Sequence, residues 1–200
     1  FPTATIGEIP QDLKFKGEDT ELLIGQRNRI REGVTINTGT TGGGGITRVG
    51  NDCLFMLGSH IGHDCRLGNR IVLANNASLA GHVTLGDGVH VGGLSGVHQF
   101  VRIGEGAFIG ALSMVTKDVI PFGMVYGERA KLMGLNLVGL RRIGVRKELI
   151  KDLKDVYTDL FLDEGTFQSR LDVIDTKGNP LVEKLLSFLN GESKRSLLGL

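Results

Sequence analysis

With 200 residues, the chain has room for one domain, or for one domain with a small appendage. Its 23 basic and 22 acidic residues give a net charge of +1, which provides no reason to expect a nucleic-acid partner. No apolar run approaches the roughly 18 residues that cross a bilayer, and the sequence has neither a signal-peptide pattern nor a CxxC pair. We therefore expect a cytoplasmic protein without a membrane span.

A six-residue repeat organises the first part of the chain. Glycine accounts for 31 residues, about twice its ordinary share, and such an excess with few prolines favours a repeat. Residues 49–120 divide into twelve hexads that all begin with Val, Ile, Leu or Phe, and the second residue is Gly or Ala in nine of them. An earlier block keeps the rule through Ile24, Ile30 and Ile36, whereas loops are predicted near residues 8–22 and 37–48.

The repeat predicts a mainly β fold, a parallel β-helix. A spacing of six with two fixed small or apolar positions, the first and the fifth, fits neither an α-helix nor a simple strand. Three hexads would instead close one coil, and successive coils would stack about 4.8 Å apart through strand hydrogen bonds. Glycine would form the tight corners and allow neighbouring coils to approach closely.

Helices are predicted after the repeat. The pattern stops after Pro121, so residues 1–120 are expected to form the β-helix and residues 121–200 a linker and a small C-terminal α-helical domain. An apolar stripe with helical spacing runs from residue 145 to 161, and a second helix is predicted over residues 165–176. Asn179 and Pro180 have the pattern of an N-cap followed by proline, which predicts the start of a third helix.

The histidines fall on one side of the predicted prism. His63, His82 and His98 lie in the third, sixth and ninth hexads counted from residue 49, so they would share one side in successive coils. His60 ends the second hexad, next to the corner that leads into this side, whereas His90 falls elsewhere and is expected to be exposed. None of them occupies a first or fifth position, so a buried core role is disfavoured for them.

A stack of imidazoles favours either proton transfer or metal binding. Asp64 follows His63 directly and is the candidate acid that would orient a histidine base. Neighbouring side chains on a strand point to opposite faces, so this pair requires a corner that turns Asp64 back. Zinc would need its ligands within about 2.1 Å of one point, which coils stacked in one subunit do not offer unless a second subunit contributes.

Six longer segments of the sequence resemble those of a known family. The segments IGEIPQDLKF, IREGVTIN, GSHIGHDCRLGN, LANNASLAGHV, VHQF and GLNLVGLRR occur in this order. Together they resemble the UDP-N-acetylglucosamine acyltransferases of lipid A synthesis, which are hexapeptide-repeat enzymes. The resemblance implies a left-handed β-helix, although the general rule for parallel crossovers favours the right hand, and it implies a homotrimer. Because the chain begins in mid-pattern at Phe1, the first coils of such an enzyme are expected to be missing.

The resemblance also implies a reaction and its residues. The reaction is transfer of an (R)-3-hydroxyacyl chain from acyl carrier protein to the glucosamine 3-hydroxyl of UDP-GlcNAc, with no cofactor and no metal. His63 would be the general base, Asp64 would fix its tautomer, and the backbone N–H of Gly81 would stabilise the oxyanion. The implied substrate-binding residues are Asp12, Lys14, His60, His82, His98, Gln99, Asn136 and Arg142.

Further positions concern the acyl chain and the partners. Ala111 corresponds to the residue that limits acyl-chain length in this family. Asn136 and Arg142 correspond to residues that reach the nucleotide from a neighbouring subunit. A basic cluster is expected to dock the acidic acyl carrier protein. Its members are Arg129, Lys131, Arg141, Arg142, Arg146 and Lys147.

Other functions stay open at this point. The chain departs from residues common in the family at Asn37, Val138 and Ile143, and these departures bear on nucleotide affinity. The related N-acyltransferase of the same pathway, or an acceptor with a 3-amino group, would use a similar set of residues. A metal-dependent β-helix enzyme and a catalytically silent trimeric scaffold are the alternatives from other classes.

Overall fold

The chain forms a triangular prism of stacked coils followed by short helices. A computed structural model describes residues 1–162 and 164–199. The strands are β1 (Thr5–Glu8), β2 (Glu21–Ile24), β3 (Arg29–Ile30), β4 (Thr35–Asn37), β5 (Ile46–Val49), β6 (Leu54–Phe55), β7 (His60–Ile61), β8 (Arg66–Leu67), β9 (Val72–Leu73), β10 (Ser78–Leu79), β11 (Thr84–Leu85), β12 (His90–Val91), β13 (Gly96–Val97), β14 (Arg102–Ile103), β15 (Phe108–Ile109), β16 (Met114–Val115), β17 (Gly123–Tyr126) and β18 (Lys131–Leu135). The helices are a 3-10 turn (Thr41–Gly43), α1 (Leu137–Arg142), α2 (Lys147–Phe161), α3 (Phe167–Leu171) and α4 (Pro180–Asn190).

Three sheets make the three sides of the prism. The first side has the order β1-β4-β7-β10-β13-β16, the second β2-β5-β8-β11-β14, and the third β3-β6-β9-β12-β15-β17-β18. Up to β16, each strand pairs in parallel with the strand three further along the chain, so every coil contributes one strand to each side. The third ladder continues past residue 120 through β17, which then pairs with β18 in antiparallel fashion.

The first and fifth hexad positions fill the interior. Ile61, Leu73 and Leu79 at first positions, and Cys65 and Ala77 at fifth positions, are 0% exposed. Each coil therefore adds apolar side chains to one continuous column, in which burial stabilises the fold by roughly 25 cal/mol per Å² of apolar surface. This arrangement explains why the sequence repeats with a period of six.

The corners are built differently from the prediction. The left-handed backbone conformation falls at the fourth hexad position, where most residues are not glycine. These residues are Asp52, Asp64, Arg70, Asn76, His82, Leu94, Phe100 and Leu112. The expectation that glycine forms the corners is wrong for these positions.

Glycine at the second hexad position allows the coils to stack closely, as predicted. A Cβ atom on Gly50 would lie 2.5 Å from the carbonyl oxygen of Gly68 in the next coil. A Cβ atom on Gly62 would lie 2.9 Å from the backbone of Ala80. Both distances are too short for real atoms, so only glycine fits without a shift of the backbone.

Two of the three predicted helices are confirmed. The stripe predicted over residues 145–161 forms α2, which begins at Lys147 and buries its apolar face. The predicted cap is also present, because the Asn179 side chain accepts a hydrogen bond of 2.9 Å from the Leu181 N–H and Pro180 is the first residue of α4. None of the helices in the described ranges is both long and apolar enough to cross a membrane.

The helix predicted over residues 165–176 is shorter than expected. Only Phe167–Leu171 is helical, after a cap in which the Thr166 side chain accepts from the Ser169 N–H. The Asp175 carboxylate accepts a hydrogen bond of 2.9 Å from the Lys177 N–H. This local bond offers the backbone a turn in place of a further helical turn.

Candidate active site

A corner between the first and second sides places a carboxylate against an imidazole. Residues 62–65 connect β7 to β8, and Asp64 lies at the corner with a φ of 59°. The turn brings Oδ2 of Asp64 to 2.7 Å from Nδ1 of His63, although the two residues are neighbours in sequence. The side chain of His63 is 15% exposed and that of Asp64 only 1%. The corner that the His63–Asp64 hypothesis required is therefore present.

The loop between β4 and β5 holds the Asp64 carboxylate from the other side. The Thr40 N–H donates to Oδ1 at 2.8 Å, and the Thr40 hydroxyl donates to Oδ2 at 2.6 Å. The Asp64 N–H in turn donates to the Thr47 hydroxyl at 2.8 Å. Gly43 packs so closely against the carboxylate that a Cβ atom there would overlap it. The phase shift of the repeat predicted this loop, but nothing in the sequence indicated that it supports Asp64.

The tautomer of His63 follows from these contacts. A buried carboxylate that already accepts two hydrogen bonds from Thr40 is an acceptor for the ring, so Nδ1 of His63 carries a proton and donates it to Asp64. In the neutral ring, Nε2 then has a free lone pair. The imidazole is thereby arranged to accept a proton from a group in the neighbouring groove.

Two further rings stack on this corner in the coils that follow. His82 occupies the corner position of the next coil, and its ring meets that of His63 edge-on with centroids 5.0 Å apart. Phe100 occupies the corner after that and stacks on His82 at 4.4 Å. Burial lowers the pKa of His82, against the opposing effect of the Asp64 carboxylate. The corner that carries His63 thus continues into a column of rings, in which Phe100 was not anticipated.

A groove runs along the first side beside this corner. It is lined by His60, His63, Gly81, His98 and Gln99, among others, so five of the predicted site residues come together. Nδ1 of His60 lies 2.7 Å from the Thr35 hydroxyl. Burial, and then the nearby His63, lower the pKa of His60, which favours its neutral form.

Gly81 lies directly against the ring of His63 in the next coil. A Cβ atom at this position would overlap the imidazole, so the close approach requires glycine. Within residues 1–162 and 164–199, no hydrogen bond uses the Gly81 N–H, whereas the neighbouring His82 N–H donates to the His63 carbonyl at 2.9 Å. An unused N–H beside a histidine base is a suitable donor for a developing oxyanion.

Asn37 lines the same groove with an unpaired acceptor. Its side chain is at the end of β4 and is 3% exposed, and Nδ2 donates to the Ile9 carbonyl at 2.9 Å. Oδ1 is buried without a hydrogen-bond partner in the described part of the chain. A buried carbonyl oxygen beside a groove is suited to a donor group on a ligand, because leaving it unpaired is costly.

Several predicted residues lie apart from the groove. Asp12 and Lys14 are in the loop between β1 and β2, where the Lys14 N–H donates to the Asp12 carboxylate at 3.0 Å. Asn136 caps α1 on the third side by accepting from the Gly139 N–H at 2.9 Å, and it donates to the Gly106 carbonyl at 3.0 Å. Arg142 ends the same helix. One copy of the chain therefore does not bring Asn136 and Arg142 to His63.

A second pocket surrounds Asn136 and Arg142. Its walls include His90, Phe108 and Tyr126 of the third side. Val138 and Ile143, two of the departures from the family pattern, also line it and are exposed. His90 is exposed, as its position in the hexad predicts. Ala111, the predicted ruler residue, is exposed at the corner between the third and first sides.

The side chains at the corner also include three possible metal ligands. Ligand atoms of His63, Asp64 and His82 all lie within 4.8 Å of one another. However, both oxygens of Asp64 already accept hydrogen bonds from Thr40, and one of them also accepts from His63. A metal would have to displace these donors, so the arrangement fits an oriented base better than a ligand set.

Comparisons with known proteins show the family of the chain. Residues 118–198 match the model of the family described as UDP-N-acetylglucosamine O-acyltransferase, domain 2. The acyl-(acyl-carrier-protein)–UDP-N-acetylglucosamine O-acyltransferase of Paracoccus denitrificans is 58% identical over 199 residues, which cover 99% of this chain and 76% of that protein. The UDP-N-acetylglucosamine acyltransferase structure from Campylobacter jejuni matches with a TM-score of 0.91 and 41% identity, over 98% of this chain and 76% of that one. The Francisella novicida enzyme matches at 0.94 and 37% identity, over 99% and 73%.

A left-handed β-helix of hexapeptide repeats with an oriented histidine beside a groove defines an acyltransferase of the hexapeptide-repeat class. The identity and coverage of the relatives specify the family within that class. The chain belongs to the acyl-(acyl-carrier-protein)–UDP-N-acetylglucosamine O-acyltransferases.

Proposed function

We propose that the chain transfers an (R)-3-hydroxyacyl group from acyl carrier protein to the 3-hydroxyl of UDP-GlcNAc, the first step of lipid A synthesis. The names of its relatives support an acyl carrier protein and UDP-N-acetylglucosamine as the two substrates. The observation that carries the mechanism is the hydrogen bond of 2.7 Å between His63 and the buried carboxylate of Asp64, beside a groove in which the Gly81 N–H has no hydrogen-bond partner among the described residues.

The transfer proceeds as follows in this proposal. Nε2 of His63 takes the proton of the sugar 3-hydroxyl as its oxygen attacks the thioester carbonyl carbon and forms the new C–O bond. The Gly81 N–H donates to the oxyanion of the tetrahedral intermediate. When the intermediate collapses, the C–S bond breaks and the imidazolium of His63 returns the proton to the thiolate of the carrier. Asp64 stabilises the imidazolium throughout.

His60, His98 and Gln99 would bind substrate in this groove, and His82 would contact it from the adjoining corner. Three of them line it beside His63, and His82 stacks on the same corner. Asp12 and Lys14 would approach the sugar and phosphate from the neighbouring loop, whose residue Gln11 lines the groove. The lowered pKa of His60 and of His82 supports neutral rings that can both donate and accept hydrogen bonds.

The active form would be a homotrimer. Asn136 and Arg142 line a pocket on the third side, whereas His63 lines a groove on the first side. Both sets can serve one substrate only if the third side of one subunit faces the first side of the next. This arrangement closes naturally into a ring, because each subunit offers one of each face.

The acyl carrier protein would dock on the basic cluster near this pocket, with the acyl chain ending at Ala111. All six basic side chains of the cluster, at positions 129, 131, 141, 142, 146 and 147, belong to exposed residues. An acidic carrier would be attracted to such a patch, mainly through its rate of association. We further propose that the reaction takes place in the cytoplasm, which accords with two buried and unpaired cysteines.

An acyl-transfer assay tests the proposed function. The full-length protein is incubated with UDP-GlcNAc and a series of 3-hydroxyacyl carrier proteins, and the sugar nucleotide is analysed by mass spectrometry. A 3-O-acyl product that depends on His63 is expected. If no chain length gives product, a 3-amino sugar nucleotide is the next acceptor to test, and failure with both would contradict the proposal.

A further inference from the structure

The chain after α4 returns to the corner that carries the histidines. We call residues 191–199 the return segment. The Asp118 N–H donates to the Ser196 carbonyl at 3.0 Å, and the Leu198 N–H donates to the Asp118 carbonyl at 2.8 Å. These bonds attach the return segment to the last coils of the β-helix, next to the column of rings.

A buried carboxylate fixes the position of the return segment. Asp118 is 1% exposed, and its Oδ2 accepts from the Ser193 hydroxyl at 2.6 Å and from Nε of Arg102 at 2.7 Å. Its Oδ1 accepts from the Arg102 N–H at 2.8 Å. The Ser193 hydroxyl also accepts from the Arg195 N–H at 3.0 Å, so the backbone at Arg195 is tied to this carboxylate through one side chain.

The side chain of Arg195 then reaches two of the predicted substrate-binding residues. Its Nε donates to the Gln99 carbonyl at 3.0 Å, and one terminal nitrogen lies 2.7 Å from Nδ1 of His98. A guanidinium has five N–H donors and no acceptor. Nδ1 of His98 must therefore be the acceptor in this contact.

An acceptor at Nδ1 determines the state of the His98 ring. In the neutral imidazole that this contact requires, the proton is on Nε2. Nδ1 also lies 3.4 Å from the Gln99 carbonyl, a contact that would need the opposite tautomer. The contact to Arg195 is shorter and involves a permanently charged donor, so it decides the tautomer.

We propose that Arg195 is a positioning residue that holds His98 in its neutral Nε2–H tautomer, as a hydrogen-bond donor toward the groove. His98 lines the groove that contains His63 and Gly81, and no described contact uses its Nε2. This inference rests on the proposed function. The group recognised is an acceptor oxygen of a bound substrate, on either the sugar nucleotide or the acyl carrier.

The role assigned to Arg195 is orientation and not stability. Arg195 is half-buried and His98 is exposed, and a hydrogen bond at such a surface position contributes little to the free energy of unfolding. A purely structural Arg195 would predict no change in the His98 tautomer and no coupling between the two residues in catalysis. These two readouts therefore separate the proposal from an anchoring role.

Histidine-selective nitrogen NMR of the full-length protein tests the tautomer directly. In the wild type, the proton of His98 is expected on Nε2. Arg195→Met should release Nδ1 and populate the other tautomer, whereas Arg195→Lys, which keeps a donor, should retain the Nε2–H form. Lys194→Met is the matched control, because Lys194 is the adjacent cation of the return segment and lies over the Phe100 ring at 4.5 Å. An unchanged His98 spectrum in Arg195→Met would overturn the proposal.

Kinetics identify which substrate offers the acceptor oxygen. Loss of one oriented donor should raise KM about five- to tenfold with little change in kcat. The rise should be in KM for UDP-GlcNAc if the oxygen belongs to the sugar nucleotide, and in KM for the acyl carrier if it belongs to the acyl or pantetheine group. Arg195→Met should add little to His98→Ala, since both remove the same interaction.

Two kinetic results would contradict the role of Arg195, and a third result would contradict only the proposed function. Full additivity of the two substitutions, or an unchanged KM for both substrates in Arg195→Met, would contradict it. A wild-type protein that acylates neither acceptor would contradict the proposed function, while the NMR comparison would still test the tautomer.

Discussion

Oδ2 of Asp64 lies 2.7 Å from Nδ1 of His63, although adjacent residues of a strand point in opposite directions. The contact exists because Asp64 adopts a left-handed conformation at a corner of the β-helix, with a φ of 59°. The side chain is then held by Thr40 from the loop between β4 and β5.

His63→Ala should abolish acyl transfer and leave the fold intact. The ring of His63 is absent from the interior column, and Asp64 keeps both hydrogen bonds from Thr40, so removal of the ring should lower the free energy of unfolding by only about 1–3 kcal/mol. The measurements are product formation by mass spectrometry and the melting temperature. Substantial residual transfer would remove His63 from the role of base.

Asp64→Asn should lower kcat by at least about a hundredfold, because an amide can present its NH2 group to Nδ1 and favour the wrong tautomer of His63. Asp52→Asn is a matched control. Asp52 occupies the same left-handed corner position in another hexad, with a φ of 59°, and pairs with Arg27 on the surface. Equal losses in both variants would mean that the effect arises from the corner and not from the contact to His63.

Gly81→Ala should reduce transfer by about a hundredfold or more, since the added methyl group would displace the ring of His63 from its productive position. Gly42→Ala serves as the control for an added methyl group, because a Cβ atom there meets nothing closer than 4.0 Å. The comparison is made by steady-state kinetics together with melting temperatures. An active Gly81→Ala variant would be incompatible with the close packing of these two coils.

Two inactive variants should complement each other if the site is shared between subunits. His63→Ala and Arg142→Ala are mixed under conditions that exchange subunits. In a random trimer of the two, about one quarter of the sites would combine an intact histidine with an intact arginine. The mixture should thus recover about one quarter of the wild-type activity. A site that lies within one subunit would give no recovery.

The pH dependence of stability should be reduced in His60→Gln. The folded state lowers the pKa of His60 through burial, so between this lowered value and the ordinary value of about 6.5 the unfolded chain binds more protons than the folded one. Stability is then present above pH 6.5 and decreases as the pH falls through this window. Melting temperatures from pH 7.5 to 5 at fixed protein concentration should decrease less in the variant, and an identical slope would exclude the contribution of His60.

Ala111→Met should shorten the preferred acyl chain. Ala111 is exposed at the corner between the third and first sides, and the family resemblance implies that the acyl chain ends at this position. Each methylene group that loses its buried position costs about 0.8 kcal/mol, or roughly fourfold in kcat/KM. A series of acyl carriers of increasing length measures the shift, and an unchanged preference would remove Ala111 from the role of ruler.

The period of six was sufficient to predict a parallel β-helix, because the first and fifth positions must fill the interior of every coil, whereas the left hand of the helix was implied only by the family resemblance. It also placed His63, His82 and His98 near one another. Thr40 could not be predicted as the partner of Asp64, since the loop that carries it breaks the repeat and its path depends on packing. The contact of Arg195 with His98 could not be predicted either, because it joins residues 97 positions apart in the sequence.

The left-handed corner is a repeated feature of the β-helix, so other corners offer the same backbone geometry for an acid–base pair. Positions three and four of a single hexad supply both the imidazole and the carboxylate, and the more distant Thr40 supplies the donors that hold the carboxylate. Any coil of such a prism could in principle host the pair once a nearby loop supplies donors like those of Thr40. A graft of this kind into another corner would therefore have to include both the histidine–aspartate pair and the loop that holds the aspartate.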